Sequence, residues 1–474
     1  MTSDVKVLRL GDMIFNRGGI FARRVVVFIF SVSLGLFFRR IETANSEVVP
    51  KTDAVIFVMN HPNGLIDPAL VFVAMPRKIS FLAKSTLFKT PVIGWLLRTV
   101  EALPLYRKAD AGEDVSKNKI TFSLVRELLK KGGAIAIFPE GISHNETKLQ
   151  PLKTGAARIA LGTVSVGKNP ASLNLKIVPV GLFYTSKTTF RSEALLYFGE
   201  PFQVLPVELD ADGEPPRPDA KELTDKIEAA LREVTLNAES NAELETATQA
   251  EELFSSAYQG INLERTLAER FVFLKSYVSD RLDDRYAAKK RDENLENRIS
   301  NYERKLREFN IEPENLSLTE HSFWYVFRHF LLRVWLLIIF SPIAMVGIIL
   351  HFPAYQIGKI LAYYYTKHGV DDIVSTVKIF SAMLFMPLTW LILAVVLYFV
   401  ESWQIALLSI PLAIFSGYVA MRVLEEIEDL RGWFRAVRLF YLKREKFLQL
   451  LVERRALYAD LEAGSQKPEV KVQN

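Results

Sequence analysis

Apolar positions in this chain come in blocks of two sizes. Short runs at 55–59, 79–83, 103–106, 134–138 and 177–183 have the length and β-branched content of strands. Between them, 120–131 carries helical spacing and ends at Gly132-Gly133, a pair that suits a helix stop. Strands alternating with helices over 49–205 predict an α/β domain. An Asp/Gly/Pro-rich stretch at 210–219 has linker composition, and 220–310 is charged and helical, with Leu223, Ile227, Leu231 and Val234 at helical spacing. The region 206–320 is therefore expected to be a linker followed by a charged helical insert.

The longer blocks speak of a bilayer. Residues 25–38 are apolar and flanked by Arg23-Arg24 and Arg39-Arg40. A span needs about 20 apolar residues, so this run predicts a shallow or re-entrant anchor, with 12–22 as a second helix in the same leaflet. The double Arg after the run argues against a cleaved signal peptide. Segment 1–48 is thus expected to form N-terminal membrane-associated helices. Blocks 334–352, 379–400 and 405–419 predict a transmembrane region over 321–421, the last two as a hairpin with Trp403 at the interface. A buried soluble bundle would explain the same blocks, but 379–400 is long for one.

Beyond Met421, the cations Arg422, Arg431, Arg435, Arg438, Lys443, Arg444 and Lys446 mark 422–474 as a basic amphipathic helical tail and place that end in the cytoplasm. Three full spans would put 50–200 on the other side. A cytoplasmic catalytic domain therefore requires the first block, interrupted by Pro342 and ending at Pro353, to be re-entrant or broken.

Composition narrows the class further. Cysteine is absent, which excludes a disulfide framework, a thiol nucleophile and a cysteine zinc site. The net charge of +5 comes without a dense basic block interleaved with aromatics, so no nucleic-acid partner is expected, whereas a lipid surface fits.

Candidate chemistry lies in the turn after 55–59, where Asn60-His61-Pro62-Asn63-Gly64-Leu65-Ile66-Asp67 supplies an imidazole and a carboxylate. A carboxylate beside His fixes its tautomer and supports the imidazolium. Turn chemistry alone also explains Asn, Gly and Asp here. On a regular helix the six-residue step leaves the two side chains roughly 120° apart. They meet only if the backbone departs from a helix, and Pro62-Asn63-Gly64 is built to depart. Three further polar segments follow strand-like runs: Arg107-Lys108, Phe138-Pro139-Glu140-Gly141-Ile142-Ser143 with Lys153 beyond it, and Ile177-Val178-Pro179-Val180-Gly181 with Tyr184 and Lys187 beyond it. Loops at the carboxyl ends of strands form the ligand crevice of open α/β sheets. Pro179 by default reads as an edge or strand-end residue.

Together these four blocks resemble the glycerolipid acyltransferase superfamily, which includes glycerol-3-phosphate and lysophosphatidate acyltransferases. The common pattern has four residues between His and Asp; this chain has five, 62–66. That spacing, Pro68 and Lys153-Thr154-Gly155 are similar to the branch containing fungal glycerol-3-phosphate and dihydroxyacetone phosphate acyltransferases. The likeness is specific over about 50–205 and architectural afterwards. It implies a mixed sheet flanked by helices, and a membrane-bound enzyme moving a fatty acyl group from an acyl thioester to a phosphorylated three-carbon acceptor. His61 and Asp67 would be catalytic, as base and orienter. Asn63, Arg107, Lys108, Glu140, Gly141 and Lys153 would bind the acceptor. No metal or cofactor is implied: the thioester, on CoA or acyl carrier protein, is a co-substrate, and no metal-ligand spacing accompanies His144. A lysophospholipid acyltransferase would share every block, and a non-catalytic lipid-binding scaffold would share the fold. A serine hydrolase would need a Gly-x-Ser-x-Gly elbow, which these blocks lack.

Overall fold

Parallel pairing at the centre of a mixed sheet explains why several strands read as unbroken apolar runs, since both faces are covered. The computed structural model describes residues 5–7, 21–107, 110–166, 173–259, 265–283, 288–311, 323–367 and 374–465. Two compact units divide them: residues up to Asn237 with Tyr365–Ile379, and Ala238–Tyr364 with Phe380 onward.

In the first unit the strands are β1 (Val5–Val7), β2 (Arg40–Ala44), β3 (Ala54–Met59), β4 (Ser80–Lys84), β5 (Leu103–Leu105), β6 (Ala134–Ile137), β7 (Leu175–Tyr184), β8 (Glu193–Phe198) and β9 (Phe202–Gln203). They form one sheet in the order β1-β2-β8-β7-β3-β6-β4-β5, with β9 pairing β7. β3 lies between β6 and β7, parallel to both, with Val58 opposite Ile137 on one side and Pro179 on the other. All six of its residues are buried. β4 and β5 continue the parallel set, so the carboxyl ends of β3, β5 and β6 fall on one edge of the sheet.

The helices of this unit are α1 (Phe21–Phe37), α2 (Ile66–Ala74), α3 (Pro91–Thr99), α4 (Asn118–Lys130), α5 (Gly155–Ser165) and α6 (Arg217–Val234). Val125 of α4, Ile159 of α5 and Ile227 of α6 share a core with Ile56, Ile135 and Ile177 of the sheet. α4 stops as its sequence predicts, with Gly132 in the left-handed region at φ +71°.

Three sequence expectations change here. The sheet crosses the boundary expected at residue 49: β2 pairs in parallel with β8, and β1 adds outside it. α1 buries Val26, Val27, Phe30 and Leu34, although Phe21 and Phe28 on its other face stay exposed; residues 12–20 of the expected helix pair lie outside the described residues. Arg23, expected as a flanking charge, is buried and donates to the carbonyls of Val100 and Ile79 at 2.8 and 3.3 Å. At the other end, α6 belongs to this unit rather than to a separate insert. Its last turn presses on β7 so closely that a Cβ on Gly181 would stand 1.6 Å from the Val234 carbonyl oxygen.

Pro179 is also not at an edge. It sits mid-strand in β7, whose outer side pairs with β9 at Lys176–Ile177 and with β8 from Val180 onward. The missing N–H of Pro179 falls in the gap between those two pairings, where its carbonyl accepts from the Gly199 N–H at 2.9 Å.

The second unit contains α7 (Asn241–Gln259), α8 (Leu267–Asp283), α9 (Ala288–Phe309), most of α10 (Phe323–Lys367), most of α11 (Val374–Val400), α12 (Trp403–Leu442) and α13 (Arg444–Ser465). Tyr302 and Leu306 of α9 share a core with Leu439 of α12 and Phe447 and Leu450 of α13. Buried Glu251 receives Arg270 through several short contacts, the closest at 2.9 Å. Among the described residues three helical stretches are long and apolar enough to cross a membrane: Phe330–Tyr365, Thr376–Val400 and Trp403–Leu442. With them the chain is a membrane protein. α10 runs unbroken through Pro342 and Pro353, against the expectation of a broken first block. Proline is tolerated in membrane helices because neighbouring groups re-satisfy the freed carbonyls. Apart from the prolines, at a carbonyl that neither of them frees, His351 contacts Gly347 O through Nδ1, and Trp390 Nε1 donates to the His351 Nε2, each at 2.8 Å.

Candidate active site

The turn after β3 brings His61 and Asp67 together. Pro62 and Asn63 leave the helical path, Gly64 adopts φ +33°, and α2 then starts at Ile66 with Asp67 in its first turn. The Asn63 carbonyl accepts the N–H groups of Ile66 and Asp67 at 3.0 and 3.1 Å. The non-helical detour turns two side chains that a helix would separate toward each other.

His61 Nδ1 lies 2.8 Å from Asp67 Oδ2. That oxygen also accepts the Asn63 N–H at 2.7 Å, while Oδ1 accepts the Tyr184 hydroxyl at 2.6 Å. A fully buried carboxylate thus has three donors around it, which satisfies its charge. With Nδ1–H directed at a carboxylate, Nε2 is the basic nitrogen. The His61 ring stacks on Phe138 with centroids 4.1 Å apart, and its side chain keeps 16% exposure, enough to be reached from outside. Asn60 locks the start of the turn: its side-chain amide exchanges two hydrogen bonds with the Leu182 backbone, at 2.7 and 3.1 Å, as a further strand residue would.

The segment after β6 comes up beside it. Glu140 is buried; its Oε1 accepts the His61 backbone N–H at 2.9 Å, and its Oε2 accepts the Gln150 N–H at 2.8 Å and contacts His144 Nε2. The His144 N–H in turn donates to the His61 carbonyl at 3.2 Å. Gly141, at φ +75°, exposes its carbonyl to Arg107 Nη1.

Arg107, delivered by β5, forks onto Asp110 through Nε and Nη2, both at 3.0 Å. Lys84 at the end of β4 adds an ion pair to the same carboxyl at 3.0 Å. The hydrogen bonds from Arg107, then the contact with Lys84, hold the Asp110 carboxyl below the usual carboxylate range. A guanidinium has five N–H groups. Three of those on Arg107 are committed to Asp110 and Gly141, which fixes the orientation of the guanidinium plane.

The remaining site residues fall out differently. The Lys153 backbone N–H donates to the Pro139 carbonyl at 2.8 Å and its side chain is exposed beside Gly141. The Asn63 side chain is turned inward and donates to the Lys187 carbonyl at 3.3 Å. Lys108 lies outside the described residues. Sequence reasoning gave no role to Tyr184, Asp110 or Phe138; the one available signal was that Tyr184 keeps the alternation of Val180 and Leu182 along β7.

Comparison with known proteins finds two family domains along the chain. Residues 40–182 match the family described as Acyltransferase, beginning at the first residue of β2, and residues 252–467 match the Glycerol-3-phosphate acyltransferase 2 C-terminal domain. The chain is similar to Glycerol-3-phosphate O-acyltransferase 1 of Saccharomyces cerevisiae, 26% identical over 76% of this chain and 59% of that protein. It is 27% identical to Glycerol-3-phosphate O-acyltransferase 2 of the same yeast, over 59% of this chain and 38% of that protein. A 1-acyl-sn-glycerol-3-phosphate acyltransferase of Bacillus subtilis is 31% identical over 27% of this chain and 59% of its own length. The chain therefore spans well under two thirds of the lengths of the yeast relatives. Two family domains thus make up most of the chain: an acyltransferase domain, which contains the His61–Asp67 turn, and after it a glycerol-3-phosphate acyltransferase 2 C-terminal domain.

Proposed function

We propose that this protein transfers a fatty acyl group from an acyl thioester to the hydroxyl of glycerol-3-phosphate or dihydroxyacetone phosphate, at a membrane surface. The observation that carries the reading is the 2.8 Å contact between His61 Nδ1 and Asp67, next to an Arg107 with donors to spare. His61 Nε2 accepts the proton of the acceptor hydroxyl as that oxygen bonds to the thioester carbonyl carbon. The carbon–sulfur bond then breaks, the thiolate leaves, and the proton passes from His61 to the departing sulfur or to water. Asp67 orients the ring and stabilises the imidazolium.

Arg107 holds the acceptor phosphate, for which its oriented fork suits paired oxygens. Lys153, exposed beside Gly141, adds positive charge there, and Lys108, outside the described residues, is kept as a further candidate for the acceptor phosphate. Glu140 and Asn63 act by shaping the turn, and Gly141 by presenting its carbonyl to Arg107. The catalytic unit faces the cytoplasm, where acyl-CoA or acyl carrier protein supplies the donor; with three full spans, the cations after Met421 do not set the sidedness.

Purified full-length chain in detergent micelles, given labelled acyl-CoA with each acceptor in turn, tests the reading. Turnover on glycerol-3-phosphate or dihydroxyacetone phosphate that disappears in His61→Ala, with the fold intact, is expected. Acylation of 1-acyl-glycerol-3-phosphate alone would favour the second reading, which the Bacillus subtilis relative supports. Unchanged function in His61→Ala would favour a non-catalytic scaffold.

A further inference from the structure

Asp67 can orient His61 only if its own carboxylate is held still. The terminal torsion of Asp is broad and roughly two-fold, so a carboxylate gripped through one oxygen can rock and swap oxygens. Here Oδ2 is gripped by His61 Nδ1 and the Asn63 N–H, and Oδ1 by the Tyr184 hydroxyl. Tyr184 is a rigid platform for that contact. It ends β7, paired with Ala194 of β8, in the strand whose Val180 lies beside Met59 of β3. Its ring stacks on Phe38 with centroids 5.7 Å apart. Burial first, then the neighbouring Asp67, pushes the Tyr184 hydroxyl well above its ordinary range, so it stays protonated.

We propose that Tyr184 is a positioning residue for acyl transfer: by fixing Asp67 Oδ1 it leaves Oδ2 to face His61 and keeps the imidazole aligned for proton transfer. The inference rests on the acyl-transfer reading above. The competing account makes Tyr184 an ordinary core residue whose hydroxyl takes the nearest acceptor, and that account predicts a change in stability alone.

The full chain carrying Tyr184→Phe keeps the ring against Phe38 and loses one O–H. With acyl-CoA and whichever phosphorylated acceptor the wild type accepts, kcat is expected to fall by about ten- to a hundredfold, with KM for both substrates within about twofold of wild type. In the Asp67→Asn background the same substitution is expected to change kcat by less than about twofold, because the two residues act as a unit. Unchanged kcat with a lowered melting temperature would overturn the proposal, as would an equal further loss in the Asp67→Asn background. Full activity in His61→Ala would instead overturn the acyl-transfer reading, so the two failures are distinguishable.

Discussion

The backbone N–H of His61 donates to Oε1 of Glu140 at 2.9 Å. The segment after β6 thereby sets the height of the turn after β3. The same carboxylate holds the Gln150 N–H, so one buried side chain pins both ends of the loop that carries Gly141.

Replacing Glu140 with Gln puts an NH₂ group where one of two acceptor oxygens stood, facing an N–H. We expect kcat to fall by about tenfold or more and stability by about 1–3 kcal/mol, the penalty for a buried donor left without an acceptor. Steady-state kinetics alongside thermal melts checks this; wild-type kcat would show that the His61 turn does not depend on Glu140.

Asp110→Asn releases the Arg107 fork. The expected result is a KM for the phosphorylated acceptor raised by about tenfold with a smaller change in kcat. The pH dependence has a defined sign. The folded-state carboxyl lies below its ordinary range, so its stabilising contribution is full above about pH 4 and is lost as pH falls through the lowered value. Melting curves of wild type and variant should stay a constant distance apart from neutrality down to about pH 4 and converge below it.

Gly181→Ala places a Cβ against the Val234 carbonyl oxygen, backbone that cannot swing aside as a side chain would. A destabilisation of about 3 kcal/mol or more is expected, read as a fall in melting temperature or in the yield of folded protein. An unaffected variant would mean that α6 can lift from β7.

In the membrane bundle, Trp390→Phe removes the donor to His351 Nε2. Interhelical hydrogen bonds of this kind are worth about 0.6–1.7 kcal/mol. The expected outcome is a lower unfolding midpoint in detergent with kcat within about twofold of wild type. A large loss of turnover would show that the bundle influences the catalytic chemistry.

Sequence by itself determined what depends on neighbours along the chain. The apolar run of β3, the stop of α4 at Gly132, the Pro-Asn-Gly departure between His61 and Asp67 and the lengths of the C-terminal apolar blocks are local patterns, and local patterns are written in residue order. The blocks at His61, Arg107 and Glu140 were legible as spatial neighbours because parallel strands send their carboxyl ends to one edge. Only the tertiary structure decided what depends on residues far apart in sequence. Insertion of β2 beside β8 drew part of the first 48 residues into the sheet, and α6 closed over Gly181 to extend the unit past residue 205. Arg23 found carbonyl acceptors 56 and 77 residues away and became core. Tyr184 reached Asp67 across 117 residues. No short-range periodicity encodes those contacts; they exist because a sheet places side by side strands that the chain keeps far apart.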